Sequence, residues 1–307
     1  MDFSKLFSLS TCWNVDRHQS GRAMIGELMQ TGFRRFELNY HVTREMADEI
    51  LPMAERGEIG ISSVHNVFPD VLDNTYGPDS LLLGFPDREK RERAINLTLG
   101  SVEQAVRFGA EAVVIHPGEA SMPTEFSRLM DRLCHAGRRD TRDYTDLLAV
   151  FKRMRAETAP THTSLIRDSL ETVCNRMVQK GWNVKLGIET RSMAHQIPDF
   201  EEARQILDGL PGMPVYLWND IGHSSVLEAI GMVDAHASSL KLLDRTLGLH
   251  IHDIQGTADH YCPYQFTDKT DRWLDVIRAA PIKVFEVSRS CTAEDIRRSA
   301  EAVAGKM

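Results

Sequence analysis

The stretch Leu249-His250-Ile251-His252-Asp253 shows the pattern that decides the fold, because a short apolar run leads directly into residues that can bind a metal ion. Other apolar runs end in the same way: Val113-Val114-Ile115-His116, Ile188-Glu189, Leu217-Trp218-Asn219-Asp220 with His223 just beyond, Val284-Phe285-Glu286 and, more weakly, Ser63-Val64-His65. Parallel barrels build their active sites from side chains at the carboxyl ends of their strands. The pattern therefore predicts one divalent-metal pocket at the end of a barrel.

Eight apolar runs alternate with segments of helical periodicity along the chain. The predicted strands are Leu6–Leu9, Phe33–Leu38, Ile59–Val64, Ala112–Ile115, Val184–Ile188, Val215–Trp218, Leu247–Ile251 and Lys283–Val287. Between them, apolar residues recur at spacings of three and four, which is typical of a helix with one buried face. Eight strand–helix units of roughly 35 residues fit a (β/α)8 TIM barrel better than a doubly wound sheet. We therefore predict a single TIM-barrel domain over residues 1–307.

Two predicted insertions follow strands and should lie on the catalytic face of the barrel. Asn66–Asp87 follows the third strand, and Glu119–Ser164 follows the fourth. Long connections in compact domains usually serve as lids or binding loops. The second insertion could equally be a dimer contact or surface decoration.

Composition limits the classes of partner. The net charge of −8, from 36 basic and 44 acidic residues, argues against nucleic-acid binding, which normally needs a basic face. The five cysteines show no zinc-knuckle spacing and predict no disulfide framework. No segment approaches the ~18 apolar residues of a membrane span. We expect a cytoplasmic enzyme for a small molecule, without a membrane partner, and a homodimer is one option for such a barrel.

Oxygen and nitrogen ligands without thiolates favour Mn2+, Mg2+, Co2+ or Zn2+. Glu189, Asp220, His252 and Glu286 would supply three carboxylates and one imidazole. His250 and His252 stand two residues apart on a strand and therefore face the same side. We predict His252 as the ligand because it lies nearer the open end, which leaves His250 for substrate contact or positioning.

Each candidate also has a structural interpretation. A glutamate at a strand end, such as Glu189, is often a cap or ion-pair partner, and His223 could cap the following helix. His116 could be a satisfied core histidine and His65 could orient a loop. The joint pattern favours function, because packing alone does not place acids and histidines at five or six strand ends.

Taken together, several segments resemble the xylose-isomerase-like barrels, which include sugar isomerases, epimerases and dehydratases and the endonuclease IV type of DNA-repair enzyme. The segments are Val64-His65, Val114-Ile115-His116-Pro117-Gly118, Gly187-Ile188-Glu189-Thr190, Asp220-Ile221-Gly222-His223, His250-Ile251-His252-Asp253-Ile254 and Glu286. The resemblance implies a TIM barrel whose metal ligands are Glu189, Asp220, His252 and Glu286.

The resemblance also implies roles for the remaining histidines. His223 resembles a substrate-binding residue of the sugar enzymes, or a second-metal ligand of the nuclease branch. His65 and His116 resemble histidines that bind extra metals in the nuclease branch and hold substrate in the sugar branch. Asp259-His260 resembles the Asp-x-His of the nuclease, but the two residues are adjacent here. Adjacent side chains on a strand face opposite ways, so we expect that they do not share a metal.

The leading functional hypothesis is isomerisation or epimerisation of a sugar through an enediolate. Glu189 and Glu286 would remove and return a proton beside a carbonyl, and a metal would stabilise the developing charge. The substrate would be held by a further set: His65, His116, His223, His250, His260 and Arg191, where Arg191 binds a carboxylate or phosphate or else forms a surface ion pair.

Alternatives remain. Dehydration of a keto-polyol would use the same proton abstraction, and phosphodiester hydrolysis by two or three zinc ions would use the additional histidines. A barrel that binds a sugar or a metal without turnover is a third alternative. Trp218 could belong to an apolar wall of the site or could pack between barrel and helices.

Overall fold

The computed structural model describes residues 2–307, and within them eight parallel strands close into a barrel. The barrel strands are β1 (Ser8–Ser10), β2 (Arg35–Leu38), β3 (Gly60–His65), β4 (Ala112–Ile115), β6 (Lys185–Glu189), β8 (Val215–Asp220), β9 (Thr246–Ile251) and β12 (Ile282–Phe285). Their order around the barrel is β1-β12-β9-β8-β6-β4-β3-β2. Each predicted strand overlaps one of these, so the predicted TIM barrel is confirmed.

Helices surround the barrel. They are α1 (Gly21–Gln30), α2 (Arg44–Glu55), α3 (Arg88–Phe108), α4 (Thr124–His135), α5 (Arg142–Lys180), α6 (Phe200–Asp208), α7 (Ile221–Ala229), α8 (Ala235–Leu240), α9 (Leu274–Ala279) and α10 (Ala293–Lys306). Two short antiparallel pairs lie beside the barrel: β5 (Gly118–Glu119) with β7 (Gln196–Ile197), and β10 (Asp253–Gln255) with β11 (Ala258–Tyr261). Across residues 2–307, no helix has the length and apolar character needed to cross a membrane.

The insertion after β4 supports the chain that follows β6. It comprises β5, α4 and the first half of α5. Its buried cluster joins Met130, Tyr144 and Phe151 to Ala194, Leu227 and Ile230. Arg155 of α5 donates to the backbone oxygens of Ala194 and Gln196, at 2.8 Å each. The insertion therefore fixes the loop that follows Glu189.

Trp218 fills the inside of the barrel beneath the ends of the strands. It is fully buried and clusters with Ala112, Val114, Leu247, Ile282 and Val284, which come from strands on different sides of the barrel. The indole fits because glycine occupies the neighbouring strands. A Cβ at Gly187 would lie 2.9 Å from the Trp218 ring, and one at Gly248 would lie 2.3 Å from it. Trp218 thus packs inside the barrel, and not between barrel and helices as one alternative proposed.

We predict that Gly248→Ala lowers the free energy of unfolding by about 2 kcal/mol or more, because the added methyl overlaps a ring that has no room to move. Urea denaturation of the purified variant measures this. Gly100→Ala is the matched control, since its Cβ would meet no atom within 4 Å on α3, and it should stabilise the protein by about 0.5–1 kcal/mol. Equal stability of the two variants would contradict the packing argument.

Candidate metal centre

Four consecutive barrel strands bring three carboxylates and one imidazole together at the carboxyl end of the barrel. Glu189 ends β6, Asp220 ends β8, His250 lies in β9 and Glu286 directly follows β12. One ligand atom of each lies within 4.8 Å of those of the others. All four residues are buried, and Glu286, at 5% exposure, is the most accessible of them.

The Nδ1 atom of His250 lies at the centre of this group. It is 3.0 Å from Oε2 of Glu286, 3.4 Å from Oδ2 of Asp220 and 3.5 Å from Oε1 of Glu189. Despite such short distances, neither His250 Nδ1 nor Glu189 Oε1 makes a hydrogen bond of acceptable geometry within residues 2–307, and both atoms are buried. Unpaired buried polar atoms are rare and costly unless a bound group satisfies them. The donor set therefore fits a divalent cation such as Mn2+, Mg2+, Co2+ or Zn2+.

Glu37 is a member of the site that the sequence analysis missed. It lies in β2, is fully buried, and its two carboxylate oxygens are 3.1 and 3.2 Å from His250 Nε2. Ser63 Oγ donates to Glu37 at 2.7 Å. When a metal takes the place of the proton on Nδ1, this carboxylate would keep the remaining proton on Nε2, as in many metal-binding histidines. Burial opposes ionisation of Glu37, but the charge of His250 outweighs it and lowers the pKa of the carboxyl group.

The structure groups His250, and not His252, with all three carboxylates. Of these three carboxylates, His252 contacts Asp220. Its Nδ1 accepts from the backbone N–H of His260 at 2.9 Å, and its Nε2 lies 2.8 Å from Oδ1 of Asp220. The strand register pairs Asp220 with His250. His250 is therefore level with the carboxylates, whereas His252 belongs to another candidate metal group, with His223 and His260.

A second group adjoins the first through Glu189. The Nε2 atoms of His65 and His116 lie 3.0 and 2.9 Å from Glu189 Oε2. Their Nδ1 atoms lie 3.4 and 3.2 Å from the backbone oxygens of Asn66 and Pro78. A backbone oxygen on one ring nitrogen orients the other nitrogen toward a ligand. His65, His116 and Glu189 are therefore a second candidate metal group.

A third group contains His223, His252 and His260. His223 Nδ1 lies 3.2 Å from Glu189 Oε1 and 3.3 Å from Asp220 Oδ2, so this group also adjoins the first. His223 Nε2 is 3.7 Å from Oδ2 of Asp259. His260 has a left-handed backbone with φ of 60°, which breaks the alternation of a strand. The expectation that Asp259 and His260 face opposite ways is therefore wrong, since both approach His223.

Opposite charges in the three groups shift the pKa values of their neighbours. Burial opposes ionisation of Glu189 and Asp220, but adjacent histidines outweigh it and hold the pKa of both carboxyl groups well below the usual range. Conversely, burial disfavours protonation of His223, but Asp220 and Glu189 raise its pKa to about 9. The site therefore keeps its carboxylates ionised and attracts positive charge.

Arg191 is not a surface ion pair, because it is 7% exposed. Its Nη1 contacts Nε2 of His116 and lies 3.6 Å from Oε1 of Glu189, while its Nη2 donates to Oδ1 of Asp79 at 2.9 Å.

The open side of the site is a cavity of about 270 Å³ that Glu286 and His260 line together with Cys12, Asn39, Tyr40 and Arg289. Thus all ten predicted site residues lie around one centre.

A sequence model of the xylose isomerase-like TIM barrels matches residues 25–276. The chain belongs to the xylose isomerase-like TIM barrel family. The resemblance to this family that the sequence motifs indicated is therefore confirmed. No curated protein sequence gives a significant match.

Solved structures of similar fold cover nearly the whole chain. A D-tagatose 3-epimerase-like protein is 15% identical over 98% of this chain and 96% of its own, with a TM-score of 0.67. The IOLI protein with a bound zinc atom is 13% identical over 97% and 96%, with a TM-score of 0.62. A Thermus thermophilus protein soaked with ZnCl2 is 18% identical over 100% and 99%, with a TM-score of 0.59. At these identities the likeness establishes the fold.

We predict that Glu37→Gln weakens binding of Mn2+ or Zn2+ by roughly 10- to 100-fold, the usual effect of losing the partner that orients a ligand. Competition with a chromogenic chelator measures the dissociation constant. Glu111→Gln is the control. Glu111 directly precedes β4, at the amino end of the barrel strands, so this variant should leave the dissociation constant unchanged. If Glu37→Gln binds metal as well as the original protein does, Glu37 does not position His250.

Proposed function

We propose that this protein is a divalent-metal-dependent isomerase or epimerase of a sugar or sugar-like polyol, which moves a proton on the carbon next to a carbonyl. The observation that carries the proposal is the placement of two glutamates within 3.5 Å of His250 Nδ1, with Glu286 also lining a cavity. A cavity of about 270 Å³ suits a small substrate. A divalent ion held by Glu189, Asp220, His250 and Glu286 would act as a Lewis acid toward adjacent substrate oxygens.

Glu286 is the better placed of the two proton carriers. It borders the cavity, whereas Glu189 is fully buried and its Oε2 is shared by His65 and His116. Glu286 would therefore take the proton from the open side, and Glu189 would act from the inner side. Burial raises the pKa of Tyr40. Its neutral hydroxyl and the ring of His260 line the same cavity and would hold substrate hydroxyl groups.

One observation favours a second candidate, the hydrolysis of a phosphate ester or phosphodiester. Glu189 belongs to two of the three candidate metal groups, and His223 of the third approaches both Glu189 and Asp220. Adjacent groups that share a carboxylate could hold two or three ions, which would activate water and stabilise phosphate oxygens. The net charge of −8 disfavours a nucleic-acid substrate for this chemistry.

We predict that protein purified without chelators contains about one divalent ion per chain and that Glu286→Gln loses sugar turnover by at least about 1000-fold, as expected for a group that carries the proton. Elemental analysis gives the metal content. Exchange of the substrate α-proton with deuterated water, followed by NMR, reports the chemistry for ketoses and keto-polyols. A product that has lost one water relative to the substrate would indicate a dehydratase with the same proton abstraction.

His65→Ala separates the two candidates. For the isomerase, the variant should keep its single ion, because His65 lies outside the four-residue group. For the hydrolase, it should lose one of two or three ions together with activity on bis(p-nitrophenyl) phosphate. Both candidates would be contradicted if the purified protein contained no metal and showed no proton exchange after Mn2+ or Zn2+ was added.

A further inference from the structure

We propose that Arg191 and Gln196 form an anion-binding subsite for a phosphate or carboxylate group of the substrate, and that Asp79 takes the place of this anion. The inference rests on the proposed function for its substrate, which it narrows to an anionic sugar. The side-chain donors of Arg191 and Gln196 converge on one oxygen. Arg191 Nη2 donates to Asp79 Oδ1 at 2.9 Å, and Gln196 Nε2 donates to the same atom at 2.7 Å.

Both donors are built into the protein. Arg191 is 7% exposed and Gln196 is 5% exposed. The backbone N–H of Met193 donates to Gln196 Oε1 at 3.2 Å, which directs the amide NH2 group toward Asp79. Arg155 donates to the backbone oxygen of Gln196 at 2.8 Å and so fixes the backbone at this residue. Gln196 is therefore held by contacts that do not involve Asp79, and Arg191 has its own contact to His116 through Nη1.

The subsite offers more donors than Asp79 uses. Nε and Nη2 of an arginine form a fork that suits two oxygens of a carboxylate or phosphate. Here Nη2 binds Asp79, whereas Nε of Arg191 is buried and has no hydrogen-bond partner within residues 2–307. Because Asp79 accepts from both donors through Oδ1 alone, one prong of the fork stays unused. A phosphate group, with three oxygens, would satisfy both prongs and the amide of Gln196.

Asp79 has the properties of an exchangeable occupant. It belongs to the insertion after β3, and its side chain is 71% exposed whereas that of Arg191 is 8% exposed. The neighbouring Pro78 contacts His116 through its backbone oxygen, so the same segment covers the second histidine group. Release of Asp79 would therefore uncover Arg191 at a point where its Nη1 is 3.6 Å from Glu189. An anion bound there would place the substrate directly beside the carboxylates.

The test uses inorganic phosphate as the probe, with isothermal titration calorimetry at constant ionic strength. It is run on protein as purified and after EDTA treatment, since a bound metal would itself attract phosphate. Arg191→Met should weaken phosphate binding roughly tenfold or more, because it removes a charge-assisted contact. Asp79→Asn should strengthen binding by roughly threefold or more, because it weakens a competing anion.

Arg176→Met is the control. Arg176 forms an ion pair with Glu92 on the outer helices, at 2.7 Å, and its loss should leave phosphate binding unchanged. Thermal melting identifies a variant that fails to fold. Asp79→Asn keeps the inference testable in that event, because the exposed side chain of Asp79 is not part of the core. Phosphate binding that Arg191→Met leaves intact, or that Asp79→Asn weakens, overturns the inference.

Turnover separates this inference from the proposed function. If the proposed function and the anion subsite are both correct, Asp79→Asn should lower the KM for phosphorylated ketoses or for ketose acids. The KM for neutral ketoses should stay unchanged. Whichever of the two anionic classes has the lower KM identifies the anion as phosphate or carboxylate. Phosphate binding that depends on Arg191, without turnover of any sugar, would overturn the proposed function alone. Turnover of neutral sugars, with phosphate binding independent of Arg191, would overturn the subsite alone.

Discussion

The concentration of buried negative charge at the carboxyl end of the barrel is the constraint on which the rest of the site depends. Glu37, Glu189, Asp220 and Glu286 all lie within 3.5 Å of a ring nitrogen of His250. Buried carboxylates are costly unless cations or hydrogen bonds compensate them. With Nδ1 of His250 as a metal ligand the imidazole is neutral, so all four carboxylates need compensation. A divalent cation would leave about two negative charges, which Arg191, 3.6 Å from Glu189, partly offsets.

The geometry that concentrates these charges comes from strand register and from the layer beneath. The register places Asp220 level with His250, and Gly187 and Gly248 each lie two residues before a candidate ligand. Both glycines give space to the Trp218 ring, which packs edge-on to His250 with centroids 5.4 Å apart. The buried indole thus packs against the imidazole, and Glu37 contacts Nε2 of the same ring. Preorganisation of this kind keeps ligands in place without a cost at each turnover.

How much the sequence could predict differs between the fold and the site. The eight strands are evident from apolar runs because buried parallel strands are hydrophobic on both faces. The same criterion overlooked Glu37, because a single acid within the apolar run Phe33–Leu38 looks like an incidental charge on a strand. A buried charge inside such a run was nevertheless a signal, because it requires a partner.

Other features depend on three-dimensional relations that periodicity does not contain. The order of His250 and His252 depends on register with a neighbouring strand, and the convergence of Asp259 and His260 depends on a single left-handed residue. Asp79 and Arg191 are 112 residues apart in sequence, and only the folded insertion brings them together. No local pattern would have paired them.

Arg191 also bears on the chemistry, because it uses the atom that a second metal would need. Its Nη1 contacts Nε2 of His116, the nitrogen that faces Glu189. Burial and the adjacent guanidinium lower the pKa of His116 to about 3, so this imidazole is a neutral acceptor for the arginine. A cation placed between His65, His116 and Glu189 would have to displace Arg191 and would be repelled by its charge. With Arg191 in this position, the four-residue group around His250 is the favoured place for a single ion, which supports isomerase or epimerase chemistry over hydrolysis by several ions.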